Sequence, residues 1–442
     1  MYVRTYDIAI LNIVYKVIIL AIADEKIDEI KERNKEGIAL FPGMAGMTRD
    51  IVEKMKKEGV DLLSVDVMLT QKCNFKCYYC YADSSPDDLP EFTMKEVKEI
   101  IQQCIKMGVR IINLQGGEPT FWHPKDFDEK FGDAFYHIIE YIRDEYKKAN
   151  LPLDLVSFTN VSLITQEKAQ WLFDKGVSLC CKLDSLRPEL QDEMLCTKGG
   201  FKRMMEGFNN LIKAGYGKTN NPVISTNSVV TPQNYDEIPE IFHWSRSHGF
   251  KPFIIPVHVH GRLQKEGGQE KGLDRTVKDD KKNLSPLDIK KLFEKLSQID
   301  AKEFNIHWKP MTPWVENKAC SRHLGGVHIR ADGIVVPCSE APDYWALGDI
   351  RKQSLIEIMQ NPIVKKFRNI YSELHENGAC NPQNCEMASK HMCYGCRTRS
   401  YDDSAYDDTG KYDNKLLDPH AFFGGDPACW RAIELQKIEE VN

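Results

Sequence analysis

No hydrophobic run in this sequence is long enough to be read as a membrane span. The most apolar stretch, IAILNIVYKVIILAIA at residues 8–23, covers 16 residues and carries Asn12 and Lys16 inside it. A spanning helix needs about 20 apolar residues, so this stretch reads as a buried or oligomer-forming element, and membrane association is not expected. An export signal is missing too. MYVRTYD before the run and ADEKIDEIKER after it supply neither a basic start nor a small-residue cleavage site. Positive charge is not in excess either: the net charge is −6, and no basic stripe with interleaved aromatics is present. That argues against nucleic acid as a partner. Internal repeats are also absent, so the chain is not read as a solenoid.

What the chain has in abundance is cysteine, 14 in 442 residues. The length allows two or three domains with a sizeable core, and 42% hydrophobic with 28% charged residues is an ordinary globular balance. Such a chain is too large for a small disulfide scaffold. Without an export signal the expected location is cytoplasmic, where thiols stay reduced and serve as metal ligands or core residues.

From residue 63 an alternation of strand and helix patterns begins. LLSVDVMLT reads as a strand, followed by a helix in TMKEVKEIIQQCIKMG. Thr93 and Glu96 form a capping box there, Val97, Ile100, Ile101, Cys104 and Ile105 form one apolar face, and Gly108 stands at the C-terminal cap. Further strands read as VRIINLQGGEP, LPLDLVSFTN, VSLCCKLDS, NPVISTNSVVT and FKPFIIPVHVHG, with helical patterns between them. Six strand-then-helix units imply an α/β fold with a parallel sheet and helices outside. In such folds functional residues gather at the C-terminal ends of the strands. The segments KCNFKCYYCY (72–81), GGEP (116–119), TN (159–160) and LDS (183–185) all fall there. Residues 262–283 are charged and poor in apolar residues, and read as a linker or exposed loop. A helix capped by Ser285, with Pro286 in its first turn, follows.

Cys73, Cys77 and Cys80 put three thiols on one tight loop, at spacings C-x₃-C-x₂-C. Structural zinc sites and ordinary iron–sulfur clusters want four protein ligands. Either a distant His or Cys completes a zinc site, or a [4Fe–4S] cube held at three corners keeps one iron open to a small molecule. CNFKCYYC after the first strand, together with GGEP after the second, resembles the radical S-adenosylmethionine (SAM) enzymes over roughly residues 63–260. The resemblance implies a partial (β/α)6 TIM barrel in which SAM chelates the open iron. Reductive cleavage of SAM then yields a 5′-deoxyadenosyl radical that abstracts a substrate hydrogen. It also implies SAM contacts from Tyr79, Gly116, Gly117, Glu118, Pro119, Thr159, Asn160 and Asp184, with Lys182 as a cation for the SAM carboxylate. The chain departs from the family pattern at TNV (159–161) for TNG and at KLDS (182–185) for SLDG. An expected arginine is replaced near Leu195 or Cys196.

Seven further cysteines, Cys320, Cys338, Cys380, Cys385, Cys393, Cys396 and Cys429, lie toward the C-terminus. Cys393 and Cys396 alone could be half of a zinc ribbon. The whole set, with Gly333 in a C-x₁₂-G-x₄-C element, resembles the SPASM extension of radical SAM proteins. That implies two auxiliary [4Fe–4S] clusters, with Cys320, Cys338 and Cys396 on the first and Cys380, Cys385, Cys393 and Cys429 on the second. The first then lacks one ligand, and is either open for substrate or closed by a nearby group such as His323. Cys104, Cys180 and Cys181 read as core thiols, and Cys196 as a loop residue.

The resulting division is 1–62, a mostly helical extension; 63–262, the radical SAM core; 263–312, a charged linker and bridging helix; and 313–442, the auxiliary-cluster domain. The expected activity is modification of a peptide or protein, with an electron donor such as flavodoxin or ferredoxin. Alternatives are small-molecule cofactor biosynthesis such as haem-precursor modification, suggested by CYGCRTRSY and DPAC, and a non-catalytic electron carrier. No residue is singled out as a catalytic acid or base.

Overall fold

The computed structural model describes residues 57, 61–127, 133–258, 260–265, 284–306, 322–369, 395–403 and 429–430. The apolar run at 8–23, most of the charged segment 262–283, and Cys320, Cys380, Cys385 and Cys393 lie outside the described residues, as does the side chain of His323.

The expected alternation is present as β1 (Ser64–Met68), α1 (Met94–Lys106), β2 (Ile111–Gln115), α2 (Asp133–Lys148), β3 (Asp154–Thr159), α3 (Gln166–Asp174), β4 (Ser178–Lys182), α4 (Pro188–Met194), α5 (Gly200–Ala214), β5 (Ile224–Val230), α6 (Ile238–Ser247) and β6 (Lys251–Pro256). After α7 (Pro286–Ile299) come three short strands, β7 (Gly326–Ile329), β8 (Ile334–Val336) and β9 (Gly348–Asp349). All nine belong to one sheet, in the order β6-β5-β4-β3-β2-β1-β7-β8-β9. The pairings from β6 through β1 to β7 are parallel, while β8 and β9 are antiparallel additions. The first six strands with their outer helices form the partial barrel, and the C-terminal strands extend its β1 edge.

Local sequence explains the helices. Thr93 caps α1 and accepts from the Glu96 N–H, while Glu96 returns the bond to the Thr93 N–H, so the capping box is complete. Met94, Val97, Ile100, Ile101 and Cys104 are the buried face, and Ile105 is half-buried beside them. Ser285 and Asp288 make the same box for α7, with Pro286 in the first turn. Burying a side chain such as Val97 or Ile101 contributes about 1.5–3 kcal/mol.

The two faces of the sheet differ in chemistry. Val65, Val67, Leu114, Leu179 and Cys181 pack outward under the helices, in one core with Cys104. Val156, Cys180, Val223 and Phe253 form a separate cluster on the inner face. Asp66 is fully buried in β1, accepts from Asn113 of β2, and lies 3.7 Å from Nδ1 of His328 in β7.

The bridging helix α7 is fixed to the barrel by a buried ion pair. Arg246 of α6 donates from Nε and Nη2 to the two carboxylate oxygens of Asp300, at 2.9 and 2.8 Å. Replacing Arg246 with Ala leaves the Asp300 carboxylate buried without this partner, an arrangement that costs about 3–5 kcal/mol. Denaturant unfolding should show a loss of that size. The double change Arg246→Met with Asp300→Leu should recover most of it.

Candidate active site

Because β1–β6 are parallel, their following segments meet at one rim. β1 runs through Leu69 and Thr70 into the cysteine loop, and β2 ends directly at Gly116. The two segments are joined through main chain: Gly117 N–H donates to the Thr70 carbonyl at 2.7 Å, and Glu118 N–H to the Lys72 carbonyl at 3.0 Å. This approach explains the glycine pair. A Cβ at Gly117 would stand 2.3 Å from the Lys72 carbonyl oxygen, and one at Gly116 would stand 2.9 Å from that of Thr70. The glycines are therefore required by the chain's own cysteine loop.

Cys73 is buried, and Cys77 and Cys80 are partly so. Amide hydrogens point at two of the sulfurs: Phe75 N lies 3.4 Å from Cys73 Sγ, and Ser84 N lies 3.4 Å from Cys80 Sγ. Asn160 Nδ2 lies 3.8 Å from Cys73 Sγ and 2.8 Å from Asn74 Oδ1. Burial pushes the Cys73 thiol well up, with Cys77 and Glu118 adding to it; burial together with Cys80 raises Cys77 to about 12. Cys73 and Cys77 each feel the neighbouring thiols, so a cation bound there would relieve both. Among the described residues no three His, Cys, Asp or Glu side chains converge tightly enough to hold a single metal ion. A cube that engages each thiolate on a separate iron makes no such demand. Three thiols on one loop, with N–H groups aimed at sulfur, fit an iron–sulfur cluster.

The remaining expected contacts gather around this loop in two networks. In the first, Glu118 is fully buried. Its Oε1 accepts from Thr120 N at 3.1 Å, Thr120 Oγ1 at 2.6 Å and Thr159 Oγ1 at 2.9 Å, and its Oε2 accepts from Asn160 N at 2.7 Å. Burial raises the Glu118 pKa, and these donors oppose the rise. Pro119 opens the short turn that follows. In the second network, Asp184 accepts from the Tyr79 hydroxyl and from Val229 N–H, and pairs with Lys182 at 2.9 Å. The Lys182 ammonium also sits 4.7 Å from the centroid of the Tyr79 ring. Tyr79, Lys182 and Asp184, named separately from the sequence, thus form one unit.

The departures from the family pattern have local explanations. Val161 takes φ +59°, the conformation that glycine adopts freely, and its N–H is held by Thr159 Oγ1 at 3.0 Å. Its carbonyl packs where a Cβ on Gly207 would stand 2.1 Å away, so a glycine in α5 makes room for it. Ser185 donates to Glu237 at 2.7 Å, and Gln191 accepts from the N–H groups of Asp184 and Ser185 at 3.0 and 2.7 Å. In place of the expected arginine, Met194 and Leu195 dock by main chain: their carbonyls accept from Tyr78 N–H at 3.3 Å and Lys76 N–H at 3.2 Å.

Across the rim, His258 after β6 meets Glu340 after β8, with Nδ1 2.9 Å from Oε2, and stacks on His260 at 5.7 Å between centroids. Burial opposes ionisation of Glu340, but His258, His260 and Arg399 outweigh it and hold the carboxyl below its usual range. Cys338 lies two residues before Glu340, while Cys396 precedes the helical turn Arg397–Asp403 and lies 3.0 Å from Thr398 Oγ1. Cys429 is followed by Trp430, on whose ring the Lys290 ammonium of α7 sits 3.8 Å from the centroid. Cys104, Cys180 and Cys181 are buried, and Cys196 is exposed. Arg262, Gln191, Asn74 and Glu237 were not singled out from the sequence. Only Arg262, following Gly261 directly after the sixth strand, left a trace there.

Comparison with known proteins agrees with this geometry. The model described as the radical SAM superfamily matches residues 67–245, and the one described as an iron–sulfur cluster-binding domain, SPASM, matches residues 320–386. The AdoMet-dependent heme synthase of Methanosarcina barkeri is 27% identical over 75% of this chain and 90% of that protein. The antilisterial bacteriocin subtilosin biosynthesis protein AlbA of Bacillus subtilis is 23% identical over 76% of this chain and 68% of that protein. Among solved structures, Streptococcus suis SuiB bound to S-adenosylmethionine aligns with a TM-score of 0.58 at 17% identity, covering 86% of this chain and 81% of that one. Native anSMEcpe with bound AdoMet and Cp18Cys peptide aligns at 0.54 and 17% identity, covering 86% and 99%. The chain is a radical SAM enzyme with a C-terminal SPASM domain. Its cofactors are SAM, a [4Fe–4S] cluster and the auxiliary iron–sulfur clusters of the SPASM domain. Among the described residues no helix is long and apolar enough to cross a membrane.

The docking of the glycine pair is testable. Gly117→Ala forces a Cβ against the Lys72 carbonyl and should cost about 1–3 kcal/mol, as overpacking does. It should also lower the iron bound per chain after anaerobic reconstitution. Gly116→Ala, with the longer contact, should show the same two effects more weakly.

Proposed function

We propose that the chain is a radical SAM maturase that modifies a peptide or protein. Cys73, Cys77 and Cys80 would hold three irons of the [4Fe–4S] cluster, whose fourth iron takes SAM. When bound, that cluster would supply the electron for reductive cleavage of SAM and so the means of abstracting a substrate hydrogen. The protein's part is to bind, orient and keep water out. Glu118 Oε2, which among the described residues accepts from the Asn160 N–H, would also take the SAM ammonium. Lys182, while still paired with Asp184, would steer the SAM carboxylate. Tyr79, its hydroxyl tied to Asp184, would offer a fixed ring to the adenine. Thr159 and Asn160 would orient Glu118 more than they touch SAM, because the Thr159 hydroxyl and the Asn160 main-chain N–H already serve it and Asn160 Nδ2 donates to Asn74. Cys320, Cys338 and Cys396 would hold one auxiliary cluster, and Cys380, Cys385, Cys393 and Cys429 the other. An electron donor of the flavodoxin or ferredoxin type would supply the reducing equivalent.

The observation that carries the peptide reading is the mixed charge of the rim between β6 and β8. His258, His260 and Arg399 face an ionised Glu340 there. A peptide presents both amide donors and charges of either sign to such a rim. The role of AlbA in bacteriocin biosynthesis supports the same reading. The second reading, modification of a haem precursor, is favoured by the longer match to the heme synthase.

The test is production of 5′-deoxyadenosine by anaerobically reconstituted, dithionite-reduced protein given SAM and host extract separated by size. Stimulation by the peptide fraction, absent when Cys73, Cys77 and Cys80 are all changed to Ala, is expected. Stimulation confined to the metabolite fraction would replace the peptide reading with the haem-precursor one.

A further inference from the structure

Arg262 stood at the head of a charged segment in the sequence, yet its side chain is only 2% exposed. A buried guanidinium is costly unless it is hydrogen-bonded and paired, so its partners show what it serves. Nη1 donates to the Cys77 carbonyl and Nη2 to the Ser84 carbonyl, while its main-chain N–H donates to the Cys80 carbonyl at 3.1 Å. Nε pairs with Asp83 at 3.0 Å, and that carboxylate is 28% exposed. The neighbouring Gly261, at φ +61°, lets the two segments touch: a Cβ there would lie 2.1 Å from the Tyr81 carbonyl oxygen and 2.7 Å from that of Cys80. Every one of these contacts falls on residues 77–84, the span that carries two of the three thiols. Ser84, whose carbonyl Arg262 holds, in turn directs its own N–H at Cys80 Sγ.

We propose that Arg262 is a positioning residue for the cysteine loop, and that its buried charge raises the reduction potential of the cluster held by Cys73, Cys77 and Cys80. The inference rests on the assignment of those cysteines as ligands. Its physical basis is simple. Reduction adds negative charge to the cluster, and a fixed cation in a poorly solvated setting favours the more negative state. Net charge, hydrogen bonding and burial are the established levers on such potentials. Arginine suits the position because its planar fork reaches two carbonyls at once and cannot lose its proton. Lysine would keep the charge but not the fork. Asp83 moderates the effect, because it neutralises part of the cation from the more exposed side.

The experiment is a dithionite redox titration of the full-length reconstituted protein, read by EPR on the signal that SAM perturbs. That signal separates the SAM-binding cluster from the auxiliary ones. Arg262→Met should shift it to lower potential and broaden it, Arg262→Lys should restore the potential more fully than the line shape, and Asp83→Asn should shift the potential upward. A purely structural role predicts less cluster at an unchanged potential. An unmoved potential in Arg262→Met and Asp83→Asn would therefore overturn the inference. If Arg262→Met fails to fold, Asp83→Asn decides alone: an upward shift supports the role and a wild-type potential overturns it. Absence of any SAM-perturbed signal in the wild-type protein is a different result, which would overturn the cysteine assignment and the role of Arg262 with it.

Discussion

The loop that carries Cys73, Cys77 and Cys80 lies outside regular secondary structure, and its peptide groups still need partners where they are buried. This protein meets the requirement by recruiting a fixed segment from several strand ends. Gly117 and Glu118 donate to Thr70 and Lys72, the carbonyls of Met194 and Leu195 receive Tyr78 and Lys76, and Arg262 donates to Cys77, Cys80 and Ser84. The donors come from after β2 and after β6, and the acceptors at 194–195 from the end of α4 and just beyond it. The loop is thus braced by parts of the chain that only the parallel sheet brings together. Strand register is strongly specified in a sheet buried on both faces, and here it also sets where the thiols stand.

The charged groups around the loop obey a related constraint. Glu118 and Asp184 are both fully buried, and an isolated carboxylate in that position would give up its charge. Glu118 is supported by neutral donors, so it keeps acceptor capacity for a further cation. Asp184 is supported by a cation, a phenol and an amide, so it has become part of the framework. The same functional group, a carboxylate, at two strand ends therefore does two jobs. The difference lies in whether the partners carry charge.

The contacts that sequence revealed are those in which side-chain chemistry is itself the signal. Thiol spacing, the capping boxes at Thr93 and Ser285, and the glycine pair leave marks because few other residues could do the same work. Main-chain docking leaves none. The carbonyls of Met194 and Leu195 would serve with many side chains, so the loss of an expected arginine was visible while its replacement was not. Val161 shows the opposite failure. A β-branched residue argues against positive φ, and only the space above Gly207 and the bond from Thr159 reveal why it is tolerated. The strands β7, β8 and β9 are four, three and two residues long, too short for an alternating pattern to register.

Those short strands change the shape of the active-site rim. β6 stands at one end of the strand order and β8 next to the other, with six strands between them. A flat sheet would hold their following loops many strand widths apart, at about 4.8 Å for each step. Yet His258 after β6 and Glu340 after β8 lie within hydrogen-bonding distance. The sheet must therefore curl until its two ends face each other, and the histidine–glutamate pair spans the gap. The segment carrying Cys338 is thereby held against the residues that follow β6, because Glu340 follows it by two residues on one short turn. The histidine–glutamate contact therefore ties the end of the barrel's sixth strand to the segment that carries Cys338, which the β1–β7 and β7–β8 pairings attach to the other end of the sheet.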